Sequence, residues 1–188
     1  MKTEIQAQPS ESFIVAALLT ISGGFLDAYT FSRRDGVFAN AQTGNFARIG
    51  ISVANGNFLA ALRYLVPIFA FVAGAYLALY IRQHFAQGAL HWQQVSLLLE
   101  IVLLLAVGFI PSQMGLNVLA NIAVSFVCAV QVESFRKFEG SIFASTMCTG
   151  NLRSATENLS QYLGYGNQQA RKKCLRYFQS TSSLCSER

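Results

Sequence analysis

Charge is scarce in this chain. Asp, Glu, Lys and Arg make up 12% of its 188 residues, against 53% hydrophobic residues and a mean hydropathy of +0.38, which is too little charge to coat a water-soluble globule of this size. The apolar runs also lack the polar face of surface helices, which argues against a soluble helical bundle. Signatures of catalysis are missing too. There is no Gly-rich phosphate loop, no Gly-x-Ser-x-Gly elbow, no metalloprotease helix and no Cys–His arrangement, so no enzymatic activity is expected. The four cysteines, Cys128, Cys148, Cys174 and Cys185, have neither C-x-x-C spacing nor paired histidines nearby, and no metal, cofactor or disulfide framework is expected. A basic leader is absent as well. The first twelve residues carry Lys2 against Glu4 and Glu11, and the apolar run continues past any signal-peptide core, so the segment reads as a retained span.

What is present is hydrocarbon-length sequence. Phe13 to Phe31, Tyr64 to Ile81 and Met114 to Val132 each approach the roughly 20 apolar residues that a bilayer crossing needs. Val95 to Ile110 is shorter and is interrupted by Glu100, so it depends on neighbouring helices to complete a crossing. The net charge of +5 does not point to nucleic acid, because the basic residues are scattered between apolar runs. Their one cluster, Arg171-Lys172-Lys173 with Arg176, suits an anionic leaflet surface. Arg82, His84, His91 and Trp92 read as interfacial anchors, and Gly74-Ala75 with Ala78 offers a small face for helix contact.

One phrase occurs twice. Phe38-Ala39 leads to Thr43-Gly44-Asn45, and Phe143-Ala144 leads to Thr149-Gly150-Asn151. Phe31-Ser-Arg-Arg-Asp35-Gly36 faces Phe135-Arg-Lys-Phe-Glu139-Gly140, which sets Asp27 opposite Gln131. Further on, Gly56-Asn57 is echoed by Gly166-Asn167. The expected architecture is an all-α, polytopic transmembrane bundle, a single membrane domain over residues 1–188. Its first repeat covers about 13–92, its incomplete second repeat about 93–177, and a Ser-rich tail follows at 178–188. Phe46 to Ala54 and Leu152 to Leu163, after the two motifs, are too short or too polar to cross easily and read as re-entrant or short helices. Thr43 and Thr149 are expected as N-caps, with Gly44 and Gly150 allowing tight turns. If these segments do not cross, three spans separate equivalent points and the repeats are inverted, as in many transporters. If they cross, four spans intervene and the repeats are parallel. Arg33-Arg34 and Arg136-Lys137 at matching turns favour the parallel reading, and the cluster at 171–176 opposes it.

Gly24-Phe25-Leu26-Asp27-Ala28, Gly36-Val37-Phe38 and Asn40-Ala41-Gln42-Thr43-Gly44-Asn45, with Gln131 and Thr149-Gly150-Asn151, resemble the YoaK-like family of bacterial inner-membrane proteins (domain of unknown function 1275). The resemblance covers about Phe13 to Tyr177. It implies about six spans in the inner membrane and no defined reaction. Two departures stand out. Gln131-Val132-Glu133 replaces the family's Gln-Asn-Ala, and where the family resembles two further apolar helices this chain runs from Phe178 into a Ser-rich end. That ending reads as a frameshift or premature stop.

The residues expected to carry function are therefore Asp27, with Arg48 as partner, and Thr43, Gly44, Asn45, Gln131, Thr149, Gly150 and Asn151. Together they would line a polar site for a small polar or anionic solute between the two motifs. The bland alternatives are an Asp27 that caps the following turn and motifs that serve only packing. Glu100 and Glu133 are further candidates for proton coupling. The expected partners are the lipid bilayer and that solute. A membrane scaffold, an intramembrane enzyme using Asp27 with Glu100, and an inactive truncated product stand as alternative functions.

Overall fold

The computed structural model describes residues 13–84, 91–113, 115–138, 141–142 and 148–185. Phe143-Ala144 and Glu139-Gly140, used in aligning the halves, lie outside these residues, as do the first twelve and last three. Among the described residues there are seven helices: α1 (Phe13–Arg33), α2 (Gln42–Ala54), α3 (Phe58–His84), α4 (Trp92–Gly108), α5 (Leu116–Ser134), α6 (Cys148–Tyr165) and α7 (Gln168–Cys185). A two-residue antiparallel pairing of β1 (Lys137–Phe138) with β2 (Ser141–Ile142) precedes α6. Three helices, α1, α3 and α5, are long and apolar enough to cross a membrane, and α4 is a shorter apolar helix. The four apolar runs of the sequence thus all form helices.

The chain divides into two compact units, Phe25–Ser134 and Met1–Gly24 with Phe135–Arg188. In the first, α3 packs along α5, α2 folds back on α3, and α4 lies against α5. The α3–α5 contact is close because α3 presents Ala70, Gly74 and Ala78, all buried, at helical spacing. A Cβ on Gly74 would overlap the Phe126 carbonyl oxygen and come within 3.1 Å of the Ala129 Cβ. Small residues allow this approach, and dispersion between the touching backbones rewards it. Leu26, Ala39, Val107, Ala120, Val124 and Cys128 form the apolar cluster of this unit. In the other unit α6 packs on α7, and Ala16, Ala155 and Tyr177 cluster.

Outward faces are apolar. Ile14, Leu18, Ile21 and Phe25 recur along α1 at helical spacing, Leu98, Ile101, Val102 and Leu105 do so along α4, and all are exposed. Such continuous apolar faces are rare on water-soluble monomers and suit acyl chains. The two buried threonines of α1 satisfy their hydroxyls locally. Thr20 donates to the Ala16 carbonyl at 2.7 Å, and Thr30 to that of Leu26 at 2.9 Å.

The two Gly-Asn pairs do the same work in each unit. Gly56 has φ 71 and Gly166 φ 65, the left-handed conformation that favours glycine. At the first, Asn57 N–H donates to the Ser52 carbonyl and Gly56 N–H to that of Val53, the paired bonds of a Schellman stop. Each asparagine then caps the next helix. Asn57 Oδ1 accepts from Ala60 N–H at 3.1 Å, and Asn167 Oδ1 accepts from Gln169 N–H at 3.0 Å.

Candidate functional site

Three polar groupings lie inside the apolar unit Phe25–Ser134. The first gathers around Arg34, whose side chain sequence reasoning passed over. The turn that ends α1 places Asp35 (φ 65) and Gly36 (φ 70) in the left-handed region, which turns Arg34 inward until it is 2% exposed. Its guanidinium donates to Tyr29 Oη at 2.8 Å, to the Pro111 and Ile110 carbonyls at 3.0 and 2.6 Å, and to Asn117 Oδ1 at 3.1 Å. The two carbonyls follow the end of α4, where backbone acceptors lack helical partners and a cation is favoured. Asn117 relays the charge by donating to Asp35 Oδ1 at 2.9 Å, and Asn121 Nδ2 donates to the Arg34 carbonyl at 2.8 Å. The legible signal was the pair of amides four residues apart on the apolar α5.

The second grouping is the first motif. Asp27, two turns before the end of α1, accepts at Oδ1 from Asn40 N–H at 2.7 Å and, more weakly, from Ala41 N–H at 3.5 Å. Ala41 is the N-cap of α2, so Asp27 supplies from another helix the carboxylate that a helix start favours. The expected pairing with Arg48 does not form. Arg48 instead donates to Tyr64 Oη at 3.3 Å and lies over the rings of Phe31, Phe38 and Tyr64 at 4.9, 5.8 and 5.5 Å. Those π-faces attract the guanidinium and leave it far less need of a carboxylate. Thr43 is likewise no cap. It lies exposed in the first turn of α2, because the helix begins at Gln42. Nor does Gly44 make a tight turn. It is helical, and what requires it is the Phe38 ring, whose Cδ2 would be 2.6 Å from an added Cβ.

Asn45, fully buried, brackets one residue. Its Oδ1 accepts from Phe38 N–H at 3.0 Å while its Nδ2 donates to the Phe38 carbonyl at 2.7 Å and to Gln42 Oε1 at 2.8 Å. Gln42 in turn donates to the Ala39 carbonyl at 2.8 Å. The segment before α2 is thus closed by a side chain acting as a neighbouring strand would. Replacing Asn45 with Ala strands both backbone groups of Phe38, and we expect a loss of about 2 kcal/mol, read as a lowered unfolding midpoint of the purified protein in detergent. An unchanged midpoint would mean that the bracket contributes nothing.

The third grouping is less satisfied. Along α5, Asn117, Asn121, Ser125, Cys128, Gln131 and Ser134 are all buried. Asn121 Oδ1, Ser125 Oγ, Ser134 Oγ, both polar side-chain atoms of Asn40, and Glu100 Oε2 are buried without a hydrogen-bond partner. Ala39, next to Asn40, packs with Ala120, Val124 and Cys128 of α5, which brings Asn40 beside the stretch that carries Asn121 and Ser125. Glu100 of α4 and Asp27 of α1 are both close enough to the Cys128 thiol for their charges to act on it. The amide oxygens accept, the Asn40 amide nitrogen donates and the hydroxyls do both, and buried polar atoms without partners mark places for water or a polar guest.

Of the sequence-predicted residues, Asp27, Gly44 and Asn45 meet around the start of α2, Arg48 sits one turn on among aromatic rings, and Gln131 lies buried on α5. Thr149, Gly150 and Asn151 belong to the other unit, at the start of α6, where Thr149 and Gly150 are exposed and Asn151 is buried. Among the described residues no group of three or more His, Cys, Asp or Glu could hold a metal ion.

The fold is thus a helical one with three helices of membrane-crossing length and apolarity around buried amides, hydroxyls and carboxylates. The chain belongs to the family described as protein of unknown function (DUF1275), matching it over residues 15–186. No curated protein and no solved structure matches it.

Proposed function

We propose that this protein is a multi-pass protein of the bacterial inner membrane that moves a small polar solute and performs no enzymatic reaction. The observation that carries the reading is the set of buried, partnerless polar atoms on Asn40, Asn121, Ser125 and Glu100 within apolar helices. In lipid such atoms are retained only where water, protein or a guest satisfies them. Because the set mixes donors and acceptors and holds no cation, it suits a neutral polar solute or a cation better than an anion. The first Thr-Gly-Asn motif then serves as the frame of the site, since its Gly44 and Asn45 are committed to the Phe38 segment.

The same proposal includes an internal repeat with motif helices that do not cross. In support, α2 has 13 residues and is about 20 Å long, short of the roughly 30 Å hydrocarbon core, and each Gly-Asn pair ends one helix on a left-handed glycine and caps the next with the asparagine side chain. Cysteine-accessibility labelling of positions at each end of α2, from both membrane faces, tests it. Labelling of the two ends from opposite faces would remove the inverted arrangement.

The flux test uses proteoliposomes and a panel of radiolabelled amino acids, sugars and inorganic cations. Asn40→Leu and Asp27→Asn are expected to lower uptake of the transported member. Asn40→Leu should do so without lowering the unfolding midpoint, because it removes two unsatisfied polar atoms. A second reading, a membrane scaffold with architectural motifs, is favoured by the tight local use of Gly44, Asn45 and Arg48. It predicts no flux of any panel member and a co-purifying protein instead.

A further inference from the structure

Glu100 is the one polar interruption in the long apolar stretch of α4 that follows Ser96. It is the ninth of the helix's 17 residues and therefore sits at mid-length, about 13 Å from either end. The side chain is 5% exposed although Leu97, Leu98, Ile101 and Val102 around it are all exposed, so it turns away from the lipid-facing side and toward α5. There its Oε2 has no hydrogen-bond partner, and no described basic side chain pairs with it. An isolated carboxylate in that setting costs several kcal/mol or more, a penalty that a bound proton removes.

Among the described residues no cation is placed to hold the charged form. From α5 the titratable group facing it is Cys128, with Asp27 of α1 near the same thiol. From α3, Arg82 lies over the Trp92 ring at the opening turn of α4, two turns away from Glu100, with His84 stacked on Tyr80 at that same end. Tyr76, nearer the level of Glu100 on α3, is exposed. One and two turns along α5 from Cys128, on the same helix face, Ser125 and Asn121 carry polar atoms that are themselves unsatisfied, as are those of Asn40, and this face leads toward the Arg34 end of the unit.

The geometry points to Glu100 as a proton-binding site inside the membrane, loading and releasing a proton through water held by Ser125, Asn121 and Asn40. That this proton is coupled to solute movement rests on the transport reading above; that Glu100 binds it does not. Asp27 differs, because its carboxylate is committed to the backbone N–H groups that open α2.

Dicyclohexylcarbodiimide tests the assignment. It is apolar, partitions into lipid and adds to protonated carboxyl groups, the acid proton passing to its nitrogen as the carboxyl oxygen bonds its central carbon. The full chain in liposomes is treated across a pH series and digested, and the adduct on the Glu100 peptide is measured by mass spectrometry. Above its titration midpoint the yield should fall roughly tenfold per pH unit. It should be absent in Glu100→Gln, retained in Asp27→Asn and unchanged when sodium chloride replaces choline chloride. No adduct at any pH, an adduct indifferent to pH, or protection by sodium at fixed pH would overturn the proton assignment. Labelling intact in a protein that moves no panel solute would sink transport and leave the proton site standing. Flux without labelling would do the reverse.

Discussion

Replacing Arg34 with Met should lower stability by on the order of 4 kcal/mol, the largest loss expected of any single substitution in the chain. Met keeps an unbranched apolar stem and loses every donor. The Ile110 and Pro111 carbonyls and Asn117 Oδ1 would then be left without the guanidinium that serves all three. Asn117 would still reach Asp35, so the turn itself need not open. Lys at the same position should recover only part of the loss, because an ammonium cannot reproduce the planar fork that reaches carbonyls, amide and phenol together. Chemical or thermal unfolding of the purified protein in detergent gives both values. A Lys variant as stable as the wild type would mean that charge, and not fork geometry, is what matters there, and equal midpoints for Met and Lys would mean that charge alone contributes nothing.

Gly74→Val is the second large effect, expected at about 3 kcal/mol. The added atoms meet the Phe126 carbonyl on one side and the Ala129 Cβ on the other, and neither is the free end of a flexible chain. The helices must move apart along the whole Ala70–Gly74–Ala78 stripe, with loss of contact at each position. Gly50→Val is the matched control, since nothing lies within 4 Å of a Cβ there. A Gly74 variant as stable as the Gly50 variant would contradict the close α3–α5 approach.

The helices were legible because length and apolar composition suffice to mark them, and all four apolar runs of the sequence fold as helices with boundaries shifted by a few residues. The small face of α3 was legible in kind, although the contact runs through Ala70 and Ala78 while Ala75 is only partly buried. Local pairings were not. The sequence shows that Asp27 and Arg48 carry opposite charge, but it does not show that Asp27 faces two backbone N–H groups and Arg48 three aromatic rings. Those preferences arise from the path of residues 34–41, which is set by two consecutive left-handed residues. Asp35 is one of them and gives no such warning in the sequence. Repetition marks the motif in the sequence, but residue type alone does not give its role. Thr43 and Gly44 suggest a cap and a turn by residue type, whereas the helix starts early enough to absorb both. The spacing of Asn117, Asn121 and Ser125 puts them on one face of an apolar helix, but it does not show what that face meets.

Arg34 leaves the ribosome 76 residues before Ile110 and 83 before Asn117. While α2 and α3 are being made, its charge has none of those three acceptors and must stay with water or lipid phosphate at the surface of the bilayer. It is drawn inward only when the connection between α4 and α5 arrives. The Arg34 contacts that join the end of the first helix to this half of the protein therefore cannot close until the α4–α5 connection and the start of α5 have been made.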